Sequence, residues 1–278
     1  MTELKHKFTN DILFKLLFVK YPKLLKKLVA VLLKIPLDSI KNFEITNPEI
    51  PPEVLDGKFC RLDISMKVGG QLVDLEVQVE DEGDYPERSL YYWARKYSSA
   101  LKKGMKYAEL PRTIVISIVD FKMFDCPGFY SEFQILETTR HSPLSDRFSM
   151  PYFELPKLSD VVSANDHTEL WLSLFRAKTE EELAKLEALE VPEMQEAIGA
   201  YRHVSVSEEF MELERMRSRS HHNEVSALGN AERRGREKGK AEERTAIAKS
   251  LLAFLPSDKI ATATGLTFAE IETLRDAD

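Results

Sequence analysis

The sequence predicts a mixed α/β domain with a helical C-terminal extension. Three features predict it. Two strictly alternating runs meet at Gly69-Gly70, apolar stripes of helical period flank them, and beyond about residue 160 the chain turns to helix-forming, highly charged sequence.

The first helix starts at Phe8-Thr9-Asn10-Asp11, where Thr9 or Asn10 can cap and Asp11 lies in the first turn. Pro22 suits the first turn of a second helix, in which Leu24, Leu25, Leu28, Val29, Leu32 and Leu33 form one apolar stripe and Lys23, Lys26, Lys27 and Lys34 fall off it. A short strand is expected around Phe43 to Thr46, before a loop holding Pro48, Pro51 and Pro52. The run from Phe59 to Val68 then alternates, with Leu62, Ile64, Met66 and Val68 on one face. Leu72 to Val79 does the same, sending Val73, Leu75, Val77 and Val79 to the core and Asp74, Glu76 and Gln78 the other way. Gly69-Gly70 is a two-residue turn that makes the pair a hairpin.

Asp84 is placed to cap the next helix, with Pro86 in its first turn and Gly104 at its end. Its expected buried side is Leu90, Trp93, Ala94, Tyr97 and Leu101, while Arg88, Tyr92, Arg95 and Ser99 share another face. Thr113 to Val119 reads as a buried strand, and Phe129–Leu136 and Phe148–Leu155 as further strands.

Residues 1–160 are thus expected to form the α/β domain and 161–206 a helical extension, with Trp171, Leu172, Leu174 and Phe175 packed and Thr179 and Pro192 opening new helices. Residues 207–245 are a charged connector, either a long solvated helix or a flexible linker, with Arg233, Arg234, Arg236, Lys238 and Lys240 concentrating positive charge among Gly229, Gly235 and Gly239. In the tail, residues 246–278, Ser257 can cap one helix, Gly265 supplies a turn, and Thr267-Phe268-Ala269-Glu270 is a capping box for the next. The shape is helix–turn–helix. Its second helix offers Glu270, Glu272 and Asp276, with only Arg275 positive, where a groove-reading helix needs positive charge, so a small assembly or regulatory module is expected, with homo-oligomerisation through this region.

At 278 residues and 43% hydrophobic, the chain is not a disordered protein. Cys60 and Cys126 cannot build a disulfide framework, and no Cys/His spacing suits zinc. Met1 opens a mixed polar start, and the most apolar stretch, Leu24 to Leu33, is broken by Lys26 and Lys27, so no membrane segment and a cytoplasmic location are expected. The net charge of −7 argues against a general polyanion binder. Residues 1–41 nevertheless hold nine lysines against Glu3, Asp11 and Asp38, which suits either phosphate binding or the solubility of a Leu-rich helix.

The hairpin carries the chemistry. Its turn opposes Ile64 to Leu75 and Met66 to Val73, so Asp63 falls opposite Glu76, with Cβ atoms roughly 4.5–5.5 Å apart. Two carboxylates at that range repel by on the order of 1–4 kcal/mol, a cost that a bound cation removes. The plainer reading is that both acids occupy the solvated face of an antiparallel sheet. Mg²⁺ suits the pair because it takes few carboxylates, keeps waters and prefers hard oxygen ligands. A carboxylate-held cation of this kind lowers the pKa of bound water, so that a nucleophile can be made from it near neutral pH.

Four segments taken together, Asn10-Asp11-Ile12-Leu13-Phe14-Lys15-Leu16-Leu17-Phe18, Arg61-Leu62-Asp63-Ile64, Asp74-Leu75-Glu76-Val77-Gln78 and Glu87-Arg88-Ser89-Leu90-Tyr91-Tyr92-Trp93, resemble the recombination-promoting nuclease (transposase) family of the PD-(D/E)xK nuclease superfamily. The resemblance covers roughly residues 6–160 and implies a restriction-endonuclease-like mixed-sheet core that hydrolyses DNA phosphodiester bonds with Mg²⁺, or with Mn²⁺ in its place. It makes Asp63 and Glu76 the metal-binding acids, with the backbone carbonyl of Val77 as a further ligand. Gln78 stands where the superfamily's lysine is usual and can position the attacking water without supplying positive charge. Asp11 matches the extra acid on the superfamily's first helix; as a plain first-turn acid it would simply favour the helix dipole. Arg88 and Tyr92 are the phosphate-side candidates, against an alternative in which Arg88 pairs with Asp84 on a solvated face. The acidic run Glu80, Asp81, Glu82 and Asp84 reads as a solvated loop or as ligands for a second metal.

Two other functions fit the same residues. A catalytically weak nuclease fold retained for DNA binding or regulation is favoured by Gln78, and an oligomeric scaffold by the charged connector and helical tail. Metal-dependent cleavage separates the enzyme from both.

Overall fold

The computed structural model describes residues 2–49 and 64–276. They include helices α1 (Asp11–Lys20) and α2 (Pro22–Leu32), strands β1 (Phe43–Ile45), β2 (Ile64–Val68) and β3 (Gln71–Gln78), and then helix α3 (Tyr85–Ser99). Strands β4 (Thr113–Val119), β5 (Tyr130–Phe133) and β6 (Phe148–Glu154) follow, then α4 (His167–Arg176), α5 (Glu180–Glu187), α6 (Pro192–Ser205), α7 (Glu208–Leu251), α8 (Ser257–Thr264) and α9 (Phe268–Asp276). The strands form one mixed sheet in the order β1-β2-β3-β4-β6-β5. The β3–β4 and β4–β6 pairs are parallel and the others antiparallel. The expected α/β core with a helical C-terminal region is what the chain adopts.

Gly69 and Gly70 both take positive φ, 57° and 87°, which matches the twist of a tight hairpin and is open to glycine without a Cβ clash. The register they set pairs Ile64 with Leu75 and Met66 with Val73, as the alternation requires. Strand β4, Thr-Ile-Val-Ile-Ser-Ile-Val, is buried along its whole length because parallel strands are covered on both faces. That same covering overturns one expectation. The second face of β3 is not solvated: Asp74, Glu76 and Gln78 are all buried, at 6%, 7% and 7% exposure. Val79, expected in the core, lies past the end of β3 and is exposed.

The two faces of the sheet differ in character. Val73, Leu75, Ile114, Ile116 and Ile118 pack with α1, α2 and α4 to α6 in one large apolar cluster, so the helices of residues 167–205 share a core with the sheet. The opposite face, bearing Val115, Val119, Phe148, Met150 and Tyr152, packs against Tyr85 and Trp93 of α3. Leu90, Ala94 and Leu101 were expected on the buried side of α3 but are exposed; Tyr85 and Ser89 are buried instead. Polar side chains on β3 and β4 need hydrogen-bond partners once covered, and Tyr85, Ser89 and Lys96 provide them where Leu90 could not. Trp93 fixes the rotation by donating from Nε1 to the Thr113 carbonyl at 2.9 Å.

Helix ends follow local chemistry. Asn10 caps α1 by accepting from Leu13 N at 2.9 Å, and Thr179 and Glu182 form a reciprocal capping box on α5. Asp84 occupies the N-cap position of α3, yet its carboxylate makes no cap bond and lies 3.4 Å from Arg88 instead. At the C-terminus of α2, Ile35 N bonds to Ala30 O and Lys34 N to Val31 O, a Schellman closure that puts Lys34 at φ 55°. Glycine is the usual residue there; a lysine in that conformation costs about 1 kcal/mol.

The chain divides into two compact units, residues 1–217 and 218–278. In the first unit, Phe210 is wholly buried, Glu214 accepts from Asn10 Nδ2 at 2.8 Å and Arg217 pairs with Asp11, so the opening turns of α7 belong to the core domain. In the second, the connector is helical through Gly229, Gly235 and Gly239, because the intervening Ala, Glu, Arg and Lys residues are strong helix formers. Ala248, Ile260 and Ile271 make a small core for the tail helices. Gly265 turns at φ 71°, and Thr267 and Glu270 form the expected box. Ser257 does not cap α8; Pro256 holds that position, and the Ser257 hydroxyl donates to Glu272 Oε1 at 2.7 Å.

Candidate active site

The covered face of β3 is a polar seam. Successive outward residues on one face of a strand are about 6.6–6.8 Å apart, so Asp74, Glu76 and Gln78 present three stations to α3. At the first, Asp74 Oδ1 accepts from Ser65 Oγ at 2.5 Å and pairs with Lys96 of α3. At the second, Glu76 Oε2 accepts from the Tyr85 hydroxyl at 3.2 Å, and that hydroxyl lies 2.9 Å from Ser117 Oγ, the residue level with Glu76 on β4. The single phenol proton lies within reach of two acceptors, Glu76 Oε2 and Ser117 Oγ. At the third, the Gln78 amide donates from Nε2 to the Glu80 carbonyl at 2.6 Å, and among the described residues no donor meets its Oε1.

The electrostatics match this geometry. Burial pushes the Tyr85 hydroxyl well above its ordinary pKa, and the charge of Glu76 beside it adds to the rise. Tyr152 is raised for the same reasons, burial first, and its hydroxyl is 2.6 Å from Ser89 Oγ. Both phenols therefore stay protonated beside Glu76.

The structure treats the other predicted residues unevenly. Asp63 lies outside the described residues. The Val77 backbone points away from β4, since Leu72 N and Gln78 O make the flanking bonds to that strand and the direction alternates along β3; its carbonyl faces the β2 side. Asp11 sits on α1, whose apolar residues pack on the other face of the sheet, and its carboxylate bonds to Ile12 N and Arg217. Arg88 is close by: its Cζ is 5.3 Å from the Tyr85 ring centre, and Nη1 engages Glu82 and Asp84. Its Nε and Nη2 are buried without a hydrogen-bond partner. Tyr92 is half-buried, with its ring 6.0 Å from that of Tyr91.

Tyr85, Ser117, Lys96 and Ser89 complete the site and were not foreseen. The available signal was the pairing of Glu76 with a serine on the next strand, hidden because a lone serine in an apolar run carries no pattern of its own. Among the described residues, no group of three or more His, Cys, Asp or Glu is arranged to hold a metal. The donors that are present, a buried carboxylate on Glu76 and the Val77 carbonyl, are hard oxygens of the kind Mg²⁺ and Mn²⁺ accept.

The sequence matches the family described as PD-(D/E)XK nuclease family transposase over residues 8–231. No curated protein and no solved structure matches. Among the described residues no helix is long and apolar enough to cross a membrane.

Proposed function

The chain belongs to the PD-(D/E)XK nuclease family transposases, and on that premise we propose that it is a divalent-metal-dependent DNA endonuclease serving recombination, mobile elements or defence against foreign DNA. The observation that carries the reading is the buried Glu76 carboxylate near the carboxyl end of β3, oriented by Tyr85 in a position a purely structural strand would fill with an apolar residue.

Asp63, Glu76 and the Val77 carbonyl would hold Mg²⁺ or Mn²⁺; Asp11, on a helix that packs on the other face of the sheet and paired with Arg217, is not assigned to the metal. When bound, such a cation makes water acidic enough to ionise near neutral pH and offsets charge on the phosphate. The chain's own groups do the rest. Tyr85 holds one oxygen of Glu76 and leaves the other for the metal. Gln78 accepts from the attacking water through Oε1 and sets its direction toward phosphorus. The partnerless Nε and Nη2 of Arg88 form one edge of the guanidinium fork, which suits a phosphate, and Tyr92 one turn further along α3 flanks the DNA backbone.

A second reading is a catalytically weak member of the family that binds DNA without cutting it. It is favoured by Gln78 holding the place of a lysine while its amide is tied to Glu80, and by Arg88 being engaged by two acids. For residues 218–278 the proposed role is homo-oligomer assembly, supported by Phe254 and Phe268, which are 80% and 58% exposed. The test is conversion of supercoiled plasmid to open circles by the full chain. Cleavage with Mg²⁺ that stops with a chelator supports the enzyme; DNA binding with no cleavage under Mg²⁺ or Mn²⁺ leaves the second reading.

A further inference from the structure

On the face of the sheet opposite Glu76, where α2 ends beside the first residues of β3 and β4, lies a partly enclosed cavity of about 180 Å³. Its polar lining is Lys34, Gln71, Arg112, Tyr130, Glu132 and Ser149, against an aliphatic wall from α2, β4 and β6. Among the described residues, neither Arg112 nor Lys34 makes an ion pair within 4.0 Å, although the Arg112 charge acts on Glu132 at longer range. The Arg112 Nε is buried with no hydrogen-bond partner, and the Lys34 ammonium rests 3.9 Å from the centre of the Tyr130 ring. Placing that ammonium there uses a lysine in a left-handed conformation that glycine would adopt more readily.

Among the described residues Glu132 is the one acid in the lining, and three donors on its own side meet its two oxygens, leaving room for a further donor. Tyr130 Oη donates to Oε2 at 2.9 Å, Ser149 Oγ to Oε1 at 2.9 Å, and Gln134 Nε2 to Oε1 at 3.4 Å. Burial alone would push its pKa up, but these hydrogen bonds and the Arg112 charge outweigh burial and hold the carboxyl below its usual range. The cavity therefore presents two positive groups and one ionised acceptor.

We propose that this cavity is a recognition site for hydrogen phosphate, with its ionised oxygens on Arg112 and Lys34 and its P–OH donating to Glu132. Size and charge lead there. With about 30 Å³ per water molecule, the space equals about six waters. Ligand pockets for larger molecules start at about 300 Å³, so a whole nucleotide does not fit inside while one tetrahedral anion does. A carboxylate or sulfate ion has no proton to give at neutral pH and would set an oxyanion against Glu132. Hydrogen phosphate has one. A phosphomonoester such as the terminal phosphate of a DNA strand has its second pKa at about 6 and at neutral pH is mostly a dianion without a P–OH, so free inorganic phosphate is the form that satisfies all three contacts. The site does not depend on the nuclease reading, since it shares no residue with the Glu76 seam.

The test is calorimetric titration of the full chain with inorganic phosphate and with sulfate at matched ionic strength. Saturable one-to-one phosphate binding is expected, with sulfate weaker by about tenfold or more, the scale of one charged hydrogen bond. Arg112→Gln should weaken phosphate by about tenfold for the same reason. Glu132→Gln should remove the preference and admit sulfate about as well as phosphate, a gain that a misfolded variant cannot produce. A duplex carrying a 5′-phosphate should compete poorly with inorganic phosphate for the site, and competition as strong as that of inorganic phosphate itself would overturn the role given to Glu132. No saturable phosphate binding by the wild-type chain, equal binding of sulfate, or an Arg112→Gln variant that folds and binds phosphate unchanged would each overturn the proposal.

Discussion

The Tyr85 hydroxyl lies 3.2 Å from Glu76 Oε2, joining the first residue of α3 to the buried acid on β3 and orienting its carboxylate. Tyr85→Phe removes the only proton this contact has. A hydrogen bond to a buried charged acceptor contributes about 1.5–3 kcal/mol, so chemical denaturation should show a loss of that order with the fold retained.

The same contact sets a pH dependence. The folded-state pKa of Tyr85 is raised above its ordinary 10.0, so the stabilisation is complete below pH 10.0 and is lost as pH climbs from there toward the folded value. Alkaline unfolding of the wild-type chain should steepen above that point, and Tyr85→Phe should flatten the curve. Parallel curves for the two proteins would mean that the phenol ionises alike in both states.

Lys96 and Asp74 form a pair whose side chains are only 16% and 9% exposed. Removing the cation leaves the buried Asp74 carboxylate with Ser65 but without Lys96, so Lys96→Met should cost about 3–5 kcal/mol by urea titration. Lys96→Met with Asp74→Leu should recover most of that loss, because a matched apolar pair does not carry the desolvation penalty. If the double variant is as weak as the single one, the pair contributes through geometry that no apolar substitute reproduces.

Much of this arrangement was legible in advance. Gly69-Gly70 and the alternation around it set the register from Ile64–Leu75 onward, and Thr113–Val119 was read to the residue, because hairpin turns and fully buried strands carry strong local patterns. The burial of Asp74, Glu76 and Gln78 was not, since alternation distinguishes two faces without saying what covers the second. Leu90 misled for the same reason: hydrophobicity predicted the side of α3 that packs, whereas the polar stations on β3 selected Tyr85, Ser89 and Lys96. The place of Asp11 beside Arg217 depends on a contact 206 residues away along the chain, beyond any local signal.

The boundary of the core domain is also testable. Ending the chain at residue 206 deletes Phe210, whose side chain is fully buried, and the partners of Asn10 and Asp11; loss of a buried Phe alone costs about 3–5 kcal/mol. Ending it at residue 217 keeps all of them. The longer truncation should melt close to the wild type and run as a monomer by native mass, while the shorter one melts far lower. A chain of residues 1–217 that stays oligomeric removes the assembly role from the tail.

The central claim is that Glu76 helps hold a catalytic metal, and single-turnover nicking of supercoiled plasmid by the wild type and by Glu76→Gln, in Mg²⁺, Mn²⁺ and Ca²⁺, tests it most directly. Glutamine keeps the volume and can still meet the Tyr85 hydroxyl, so folding and DNA binding should persist. The wild type should nick with Mg²⁺ and Mn²⁺, and Glu76→Gln should lose about 10²-fold or more of that rate, as expected when an oxygen ligand to a catalytic cation loses its charge. A folded Glu76→Gln protein that nicks at the wild-type rate, with the same dependence on Mg²⁺, would contradict the assignment.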